Sequence, residues 1–449
     1  MMFRKETEFQ ETEIGEFPKD WEIKKLREIA KIETGKREKG GGKEAGEVIS
    51  LGGENISLDG KLILNPSKYI SKEFYNSLKS GKVKEKDILL VKDGATTGKA
   101  AFVEKLPAKE VAVNEHLFII RGYNVDQKFL YYIIISNIFQ NQIKSLFHGI
   151  IGGITKAEVE EVYIPLPPLE EQKRIVDILS IIDSGIETVD RAVAKLEGMK
   201  RALLNELLTG RIRVREENGK LTFYKETEFQ DTEIGEIPKE WKVVSLEDVS
   251  LTIRTGPFGS QLKKSELSES GIKVYTQENV LKNDFSLGNL YISYDKFEQL
   301  KNMEVKPGDV LLTIRGSIGY SAVFPEGAER GIIHTNLAYI RVKISLLSPK
   351  YLSLLINYHS SIKSQLITLS SATTLGALYA KNIKKIKIPL PPLHEQQKIV
   401  EILSMIDKAI ELYRKEKERL LRLRRGLMSV LLTGRVRVIG DVRDVGIVA

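Results

Sequence analysis

Ile164-Pro-Leu-Pro-Pro-Leu-Glu-Glu-Gln172 is the stretch of sequence that decides the fold, and it returns as Ile388-Pro-Leu-Pro-Pro-Leu-His-Glu-Gln396. Proline lacks a backbone N–H and disrupts a helix interior, but it is well tolerated in the first turn. A helix is therefore predicted to begin near Leu169, where Glu170 and Glu171 meet the positive end of its dipole. Each of the two helices should end at Leu-Leu-Thr-Gly, with Gly210 and Gly434 as C-terminal caps.

Both runs carry apolar residues at alternating spacings of four and three, which predicts long amphipathic helices with a heptad seam. A helix of about 40 residues is about 60 Å long and is typical of a spacer. A single seam cannot bury itself, so we expect the two helices to pair as an antiparallel coiled coil; the alternative is that each packs on its own domain. The seam residues are Ile175, Leu179, Ile182, Ile186, Val189, Val193, Leu196, Leu203 and Leu207, interrupted by Lys200, and Ile399, Leu403, Ile406, Ile410, Tyr413, Leu420, Leu427 and Leu431, interrupted by Lys417 and Arg424.

The totals describe a globular protein of 449 residues, 42% hydrophobic and 29% charged, which is long enough for two or more domains. No apolar run reaches the roughly 20 residues of a membrane span, and the start lacks the apolar core of a secretory signal. We therefore expect a cytoplasmic protein. The chain has no cysteine, which excludes disulfides and thiolate metal sites, and its net charge of +8 favours a polyanionic partner.

An internal repeat divides the chain, because residues 5–26 return as 225–246 and residues 207–214 return as 431–438. The period is far longer than that of solenoid repeats, so whole domains are duplicated. The predicted boundaries are 1–167 for the first globular domain, 168–210 for the central helix, 211–391 for the second globular domain, 392–434 for the distal helix and 435–449 for a C-terminal tail.

Between these borders the two copies share a skeleton of short β-branched runs bounded by Gly and Asp, which are typical of strands. Residues 87–94 match 309–316, for example. Residues 126–147 and 348–369 have a helical pattern, so each half is predicted to be an α/β domain. The loops between the shared strands differ, which indicates one scaffold that presents two different binding surfaces.

The chain lacks the motifs of a catalytic or cofactor site. Gly94-Ala-Thr-Thr-Gly98-Lys99 resembles a phosphate-binding loop, but only three residues separate its glycines and Ala100 follows the lysine, so a tight turn between strands is expected instead. The spacings Glu22-Ile-Lys24 and Glu240-Trp-Lys242 occur in metal-dependent nucleases, yet a chain rich in Glu and Lys produces them by chance. The five histidines, which are His116, His148, His334, His359 and His394, have no ligand spacing.

With its duplicated Pro-Leu-Pro-Pro-Leu-x-Glu-Gln helices, its Ile-Gly-Glu-x-Pro-Lys-x-Trp segments at 14–21 and 234–241 and its order of domain, helix, domain, helix, the chain resembles the specificity subunit of type I restriction–modification systems. The resemblance implies two α/β (α+β) target-recognition domains, joined by two long helices in a pseudo-twofold duplicated architecture. Each domain would read one half of a bipartite, asymmetric DNA target, and the helices would set the gap and dock partners.

The same resemblance implies that the chain is not itself an enzyme. Its partners would be double-stranded DNA, two modification subunits that methylate adenine with S-adenosylmethionine, and two ATP- and Mg-dependent restriction subunits. Those cofactors would belong to the partners, and none is expected in this chain. Two other classes stay open from the residues alone: a coiled-coil scaffold that binds only proteins, and a self-sufficient methyltransferase or nuclease.

Cationic side chains on Gly-punctuated loops can reach phosphate or a guanine edge, so they are the candidate DNA contacts. Asn55 and Asn279 could pair with adenine, but their recurrence in both copies favours a structural role in a turn. The small residues of loops 148–155 and 370–378 would allow close approach to a duplex. The candidate contacts are Lys36, Arg37, Lys39, Lys43, Lys92 and Lys99 in the first domain, and Arg254, Lys263, Lys264 and Arg315 in the second.

Overall fold

A computed structural model describes residues 3–57, 59–65, 67–147, 153–258, 261–371 and 376–439. Two compact units are present, one formed by Met1–Asp190 with Lys415–Ala449 and the other by Arg191–Arg414. The long helices are Leu169–Leu208 (α6) and Leu393–Leu431 (α13). Each unit therefore contains one globular domain and a segment of both long helices.

The first unit contains five shorter helices and thirteen strands among its described residues. The strands are Phe3–Lys5 (β1), Phe9–Thr12 (β2), Gly15–Pro18 (β3), Glu22–Lys25 (β4), Ala30–Thr34 (β5), Val48–Leu51 (β6), Lys68–Ile70 (β7), Ile88–Val91 (β8), Ala100–Phe102 (β9), Val111–Val113 (β10), Leu117–Gly122 (β11), Tyr163–Leu166 (β12) and Val436–Val438 (β26). The helices are Leu26–Ile29 (α1), Lys72–Ser77 (α2), Gln127–Ile135 (α3), Asn137–Lys144 (α4) and Lys156–Glu160 (α5).

The second unit has a similar order of elements, with six shorter helices among its described residues. Its strands are Ile212–Glu217 (β13), Lys220–Lys225 (β14), Phe229–Thr232 (β15), Gly235–Pro238 (β16), Lys242–Ser245 (β17), Ser250–Thr255 (β18), Ile272–Tyr275 (β19), Tyr291–Ile292 (β20), Val310–Thr313 (β21), Ser321–Val323 (β22), Gly331–Ile333 (β23), Leu337–Val342 (β24) and Lys387–Leu390 (β25). Its shorter helices are Leu246–Val249 (α7), Gln277–Lys282 (α8), Tyr294–Gln299 (α9), Pro349–Tyr358 (α10), Ser360–Ser371 (α11) and Ala380–Lys384 (α12).

The two domains have the same sheet topology. A four-stranded antiparallel sheet has the order β5-β11-β8-β9 in the first domain and β18-β24-β21-β22 in the second. A three-stranded sheet beside it contains one parallel pair in each domain, β10 with β6 and β23 with β19. The central strands are almost wholly apolar because both faces are covered, and every residue of Ile88–Val91 and of Val310–Thr313 is buried. The prediction of a duplicated domain that mixes helices and strands is confirmed.

The predicted helix ends are also confirmed. Helix α6 begins at Leu169, directly after the prolines. Gly210 and Gly434 follow the two helices with φ of +71° and +67°, a conformation that favours glycine. The regions with a helical pattern, 126–147 and 348–369, are helical as predicted, and each contains two helices because Ser136 and His359 adopt extended backbone.

Segments of the two long helices pair antiparallel within each unit. In the first unit Asp183 and Asp190 of α6 form ion pairs with Arg424 and Lys417 of α13, at 2.8 and 2.6 Å. The pairs run in opposite directions along the two helices and are seven residues apart on each, which is the heptad spacing. The basic residues that interrupt the predicted seam are therefore paired with aspartates of the facing helix.

In the second unit Lys200 of α6 pairs with Asp407 of α13 at 2.5 Å, and Glu197 pairs with Arg414 at 2.8 Å. The predicted antiparallel pairing of the two long helices is confirmed. The alternative, that each helix packs on its own domain, also holds for part of α13. Ile399 and Leu403 belong to the same apolar cluster as the sheet of their own domain and as Leu207 of α6. Tyr413 is the exception in the predicted seam, since its side chain is 41% exposed.

The Glu-Gln ends of the repeated motif anchor each long helix to its domain. Gln172 accepts from the amide of Asp126 and donates to the carbonyl of Pro167, at 2.9 and 2.8 Å. Gln396 makes the equivalent bonds to Ser348 and Pro391, at 2.8 and 2.9 Å. The glutamine therefore fixes the start of the long helix against the loop that precedes α3 or α10.

The glutamate of the motif binds a buried arginine that follows the other long helix. Arg437 of β26 donates to both carboxylate oxygens of Glu171, at 2.7 and 2.6 Å, and also to Glu6 and Asp20. The sequence predicts that Glu171 meets the helix dipole, and the structure adds that its side chain is buried in this ion cluster. The antiparallel pairing of β1 with β26 places Arg437 there, beside the start of the first domain.

The second unit contains the same cluster. Arg213 of β13 donates to Glu395 at 2.6 and 2.8 Å and to Glu226 at 2.7 Å. Trp241 covers this cluster and donates its indole N–H to Glu395 at 3.2 Å. The hairpin β13–β14 takes the place that β1 and β26 occupy in the first unit. Among the described residues, no helix combines the length and apolarity needed to cross a membrane.

Replacing Gly210 with Ala is expected to destabilise the second unit much more than replacing Gly219. Both glycines have φ near +70°, so alanine costs about 1 kcal/mol of backbone strain at either. A Cβ at position 210 would lie 2.4 Å from Pro238, whereas nothing lies within 4 Å at position 219. Overpacking should add about 1–3 kcal/mol to Gly210→Ala. Calorimetric unfolding measures the difference, and equal losses would contradict this packing argument.

Lowering the pH is expected to weaken the first unit through Glu6. Hydrogen bonds from the amides of Glu8 and Thr7, with Arg437, lower the pKa of Glu6 from 4.5 to about 2, although burial opposes the shift. A lowered pKa stabilises the fold above the unfolded-state value, and this contribution is lost as pH falls from 4.5 through 2. Denaturant unfolding between pH 7 and 2 should show a shallower loss for Glu6→Gln than for the natural chain. Glu8→Gln, at a side chain 73% exposed, is the matched control and should keep the natural slope.

Candidate nucleic-acid interface

The variable loop of each domain leaves the four-stranded sheet at a glycine that touches a neighbouring strand connection. A Cβ on Gly35 would lie 2.1 Å from the carbonyl oxygen of Asn114, and one on Gly256 would lie 2.2 Å from that of His334. Any other residue would push the loop away. The scaffold therefore presents both loops from the same place, while their sequences differ.

Four candidate DNA contacts lie on the loop between β5 and β6. Lys36, Arg37, Lys39 and Lys43 are all exposed. Lys36 and Arg37 line a cleft of about 230 Å³ with Glu54, Lys68 and His116, among others. Arg37 also forms an ion pair with Glu115 at 3.3 Å. The structure thus brings two of the four cations into a cleft of mixed charge.

The other two candidates of the first domain lie elsewhere. Lys92 is half-buried, and its ammonium lies 5.7 Å from the ring centroid of the buried Phe118. This packing makes Lys92 a weaker candidate than a fully exposed lysine. Lys99 follows the β8–β9 turn and lines a different groove, of about 770 Å³, with Arg424, Arg425 and Arg435 of the same unit.

The Gly94–Gly98 segment is the tight turn that the sequence predicted. The amide of Gly98 donates to the carbonyl of Val91 at 2.9 Å, and β8 pairs with β9 on either side. Gly94 and Gly98 both have positive φ, at +93° and +88°. The segment is therefore a hairpin connection between two strands.

In the second domain Arg254 is exposed on β18 and lines a groove of about 690 Å³ with Phe258, Gln261 and Lys384, among others. Lys263 and Lys264 are exposed at a short 3₁₀ turn, Lys264–Glu266. The amide of Lys263 donates to Glu266 at 2.7 Å, which orders the turn. The three cations lie on the variable loop or on the strand that leads into it.

Arg315 lies in a more structured setting than the other candidates. Its guanidinium carbon is 5.1 Å from the ring centroid of Phe258, and its Nη1 donates to Thr335 at 3.2 Å. The Phe258 ring in turn stacks on Tyr379, with centroids 5.9 Å apart and planes at 15°. An arginine held over an aromatic ring by such contacts is preorganised for recognition of a planar acceptor pair. The contacts of Arg315 with Phe258 and of Phe258 with Tyr379 could not be predicted from the sequence, because these residues lie 57 and 64 positions from Arg315.

Asn55 and Asn279 have the structural role that their recurrence favoured. Asn55 is 1% exposed, accepts from the amide of Gly52 at 2.9 Å and donates to the carbonyl of Ile63 at 2.8 Å. Asn279 is 2% exposed and bonds Thr276, Asp284 and Leu287 in the same way. Neither amide faces a surface that DNA could reach.

The small-residue loops, the histidines and the two Glu-x-Lys spacings add no metal-binding cluster within the described residues. Residues 148–152 and 372–375, the central parts of the two small-residue loops, lie outside the described residues, as does His148. Burial lowers the pKa of His334 and of His359. Glu22 pairs with Lys24, and Glu240 pairs with Arg213. Within the described ranges, no group of three or more His, Asp or Glu is placed to hold a metal ion.

The geometry thus defines two copies of one scaffold whose loops carry different cations, joined to paired long helices. The model of the family described as "Type I restriction modification DNA specificity domain" matches residues 18–197 and 238–422. The chain belongs to this family of DNA-recognition proteins, whose members are non-catalytic specificity subunits.

Particular relatives match nearly the whole chain. The putative type I restriction enzyme MjaX specificity subunit of Methanocaldococcus jannaschii is 28% identical, over 98% of this chain and 99% of that protein. The type I restriction enzyme MjaVIII specificity subunit of the same organism is 29% identical, over 98% of each.

Solved structures share the fold. A chain from a study of complex assembly and conformational transition of the type I R-M system superposes with a TM-score of 0.55 and 21% identity, covering 93% of this chain and 99% of that chain. The type I restriction-modification S subunit from M. genitalium superposes with a TM-score of 0.53 and 16% identity, covering 92% and 96%. At these identities the likeness concerns the fold alone.

Proposed function

We propose that each globular domain reads one half of a bipartite, asymmetric DNA target, while the paired helices set the unread gap and dock the modification subunits. The observation that carries this proposal is that the two domains have identical strand order. Their variable loops leave the sheet at equivalent glycines, Gly35 and Gly256, and then differ in sequence. One scaffold holding two unlike loops suits two unlike half-sites.

The cations on these loops are the proposed contacts to the DNA. Exposed lysines at 36, 39, 43, 263 and 264 suit phosphate, which positions a protein on a duplex without reading its sequence. Arg37, Arg254 and Arg315 can also reach base edges, because a guanidinium pairs with guanine through two hydrogen bonds. Lys92, which is half-buried, and Lys99, which lines a separate groove, are the lesser candidates.

The partners we propose are double-stranded DNA, two methyltransferase subunits that modify adenine with S-adenosylmethionine, and two restriction subunits that use ATP and Mg. The buried seam residues, which include Ile175, Leu179, Ile399 and Leu403, hold the helices together, so partner subunits would meet the outward faces. The cofactors bind the partners in this proposal, and the assembly works in the cytoplasm. The coiled-coil scaffold that binds only proteins is the alternative.

Exchanging residues 1–167 for the first domain of another family member should change only one half of the modified sequence. The reason is that each half-site is read by the loops of one domain. Methylome sequencing of cells that express the chain with its modification subunit measures the result, and the natural chain is the control. A change in both halves would contradict the domain assignment, and a natural chain without a bipartite motif would favour the protein-only scaffold.

Inserting about four residues, roughly one helical turn, into both α6 and α13 should lengthen the unread gap without changing either half-site. Matched insertions preserve the antiparallel pairing because both helices grow by the same amount. The two insertions should lie between the ion pairs Asp190–Lys417 and Lys200–Asp407, after Gly198 in α6 and after Lys408 in α13, so that the pairs on both sides keep their register. The same methylome readout applies, and an unaltered gap would count against the spacer role.

A further inference from the structure

The turn that follows the central strand differs in charge between the two domains. Residues 87–94 match 309–316, so Asp93 of the first domain corresponds to Arg315 of the second. The next residue is a glycine with positive φ in both, Gly94 at +93° and Gly316 at +70°. The scaffold thus presents a carboxylate in one domain and a guanidinium in the other from the same backbone position.

Arg315 is held in a fixed orientation. Phe258 supports one face of its guanidinium at 5.1 Å, Tyr379 supports Phe258, and Thr335 accepts one N–H at 3.2 Å. The side chain has no carboxylate partner among the described residues, in contrast to Arg341 on the neighbouring strand, which pairs with Asp309 at 2.7 Å. A preorganised cation without a counter-charge suits a ligand that brings acceptors to it.

Gln277 lies against the same turn. Its Oε1 is 3.5 Å from the position that a Cβ on Gly316 would occupy. This oxygen is enclosed, and no donor among the described residues reaches it. A buried acceptor without a donor costs stability. If the Gln277 amide rotated toward a base with an exocyclic amine, its oxygen would gain the hydrogen bond that it lacks.

The first domain lacks both groups at the matched positions. Gly53 stands where the second domain has Gln277, as the alignment of Glu54-Asn55 with Glu278-Asn279 shows. A Cβ there would meet Val91 at 3.3 Å, so the site is partly filled by the scaffold itself. Asp93 faces His116, with Oδ1 and Nδ1 2.5 Å apart. The two domains therefore differ in charge and in hydrogen-bonding groups at this equivalent site.

We propose that Arg315 and Gln277 determine the sequence preference of the second domain. Arg315 donates two hydrogen bonds to O6 and N7 of a guanine in the major groove, and Gln277 Oε1 accepts from an exocyclic amine of the same or the adjacent base pair. Phe258 and Thr335 are positioning residues for Arg315. This inference rests on the proposed reading of DNA by both domains.

The test is selection from a random 30-base-pair duplex pool by the full chain assembled with its modification subunit. Arg315→Lys keeps the charge but loses the two-point fork, so guanine preference at one position should fall about tenfold to hundredfold while affinity for unrelated sequences changes little. Gln277→Ala should relax the base preference at the same or a neighbouring position. The base whose preference disappears shows whether Gln277 accepts from the amine of adenine or of cytosine. Thermal unfolding checks that both variants are folded.

Two matched variants make the result specific. Lys264→Ala should weaken binding to all sequences evenly, because phosphate contacts carry no sequence information. Asp93→Asn should leave the half-site of the second domain unchanged. If the natural chain selects a bipartite site and both Arg315→Lys and Gln277→Ala select the same site, the inference is overturned while the proposed function stands. If the natural chain selects no bipartite site, the proposed function itself fails.

Discussion

The fold depends on a buried arginine that binds the first-turn glutamate of a long helix. Arg213 meets Glu395 in one unit, and Arg437 meets Glu171 in the other. In each case the arginine follows the end of one long helix and the glutamate begins the other. Leaving one such charge buried without its partner costs about 3–5 kcal/mol, so the two ends must come together for either unit to be complete.

Several repeated sequence features can be understood from this constraint. The tryptophan of each Pro-Lys-x-Trp segment covers the arginine, with Trp21 5.9 Å and Trp241 5.7 Å from the guanidinium carbon. The glycine that ends each helix packs against the proline of the same segment. Segments that recur with few changes therefore form the junction between helix and domain, and the segments that differ form the loops, where sequence recognition is proposed.

The helices could be predicted from the sequence because their signals are local. Prolines define the start, glycine defines the end and the heptad spacing defines the buried face, so the bounds of α6 and α13 follow directly. The breaks at Ser136 and His359 could not be predicted, since a single extended residue does not alter the apolar period. In the first domain Gln140 compensates for the break by donating to the carbonyl of Ile134 at 2.8 Å.

The candidate interface was less predictable, because it depends on contacts between distant positions. The exposure of the loop lysines could be predicted because glycine-rich segments form surface loops. The half-burial of Lys92 and the contact of Arg315 with Phe258 depend on tertiary packing. The exchange of Asp93 for Arg315 was visible in the aligned repeats. The proposed role of this exchange in recognition could be inferred only from the structure, which places Gln277 and Thr335 beside the same turn.

The strand pairing of β1 with β26 has a consequence for the order of folding during synthesis. Strand Phe3–Lys5 cannot form its pairing until Val436–Val438 has been synthesised, more than 400 residues later. The second unit is continuous from Arg191 to Arg414, so all of its partners emerge before the first unit can close. Since domains generally fold as units when their chain becomes available, the middle of this protein should mature before its beginning does.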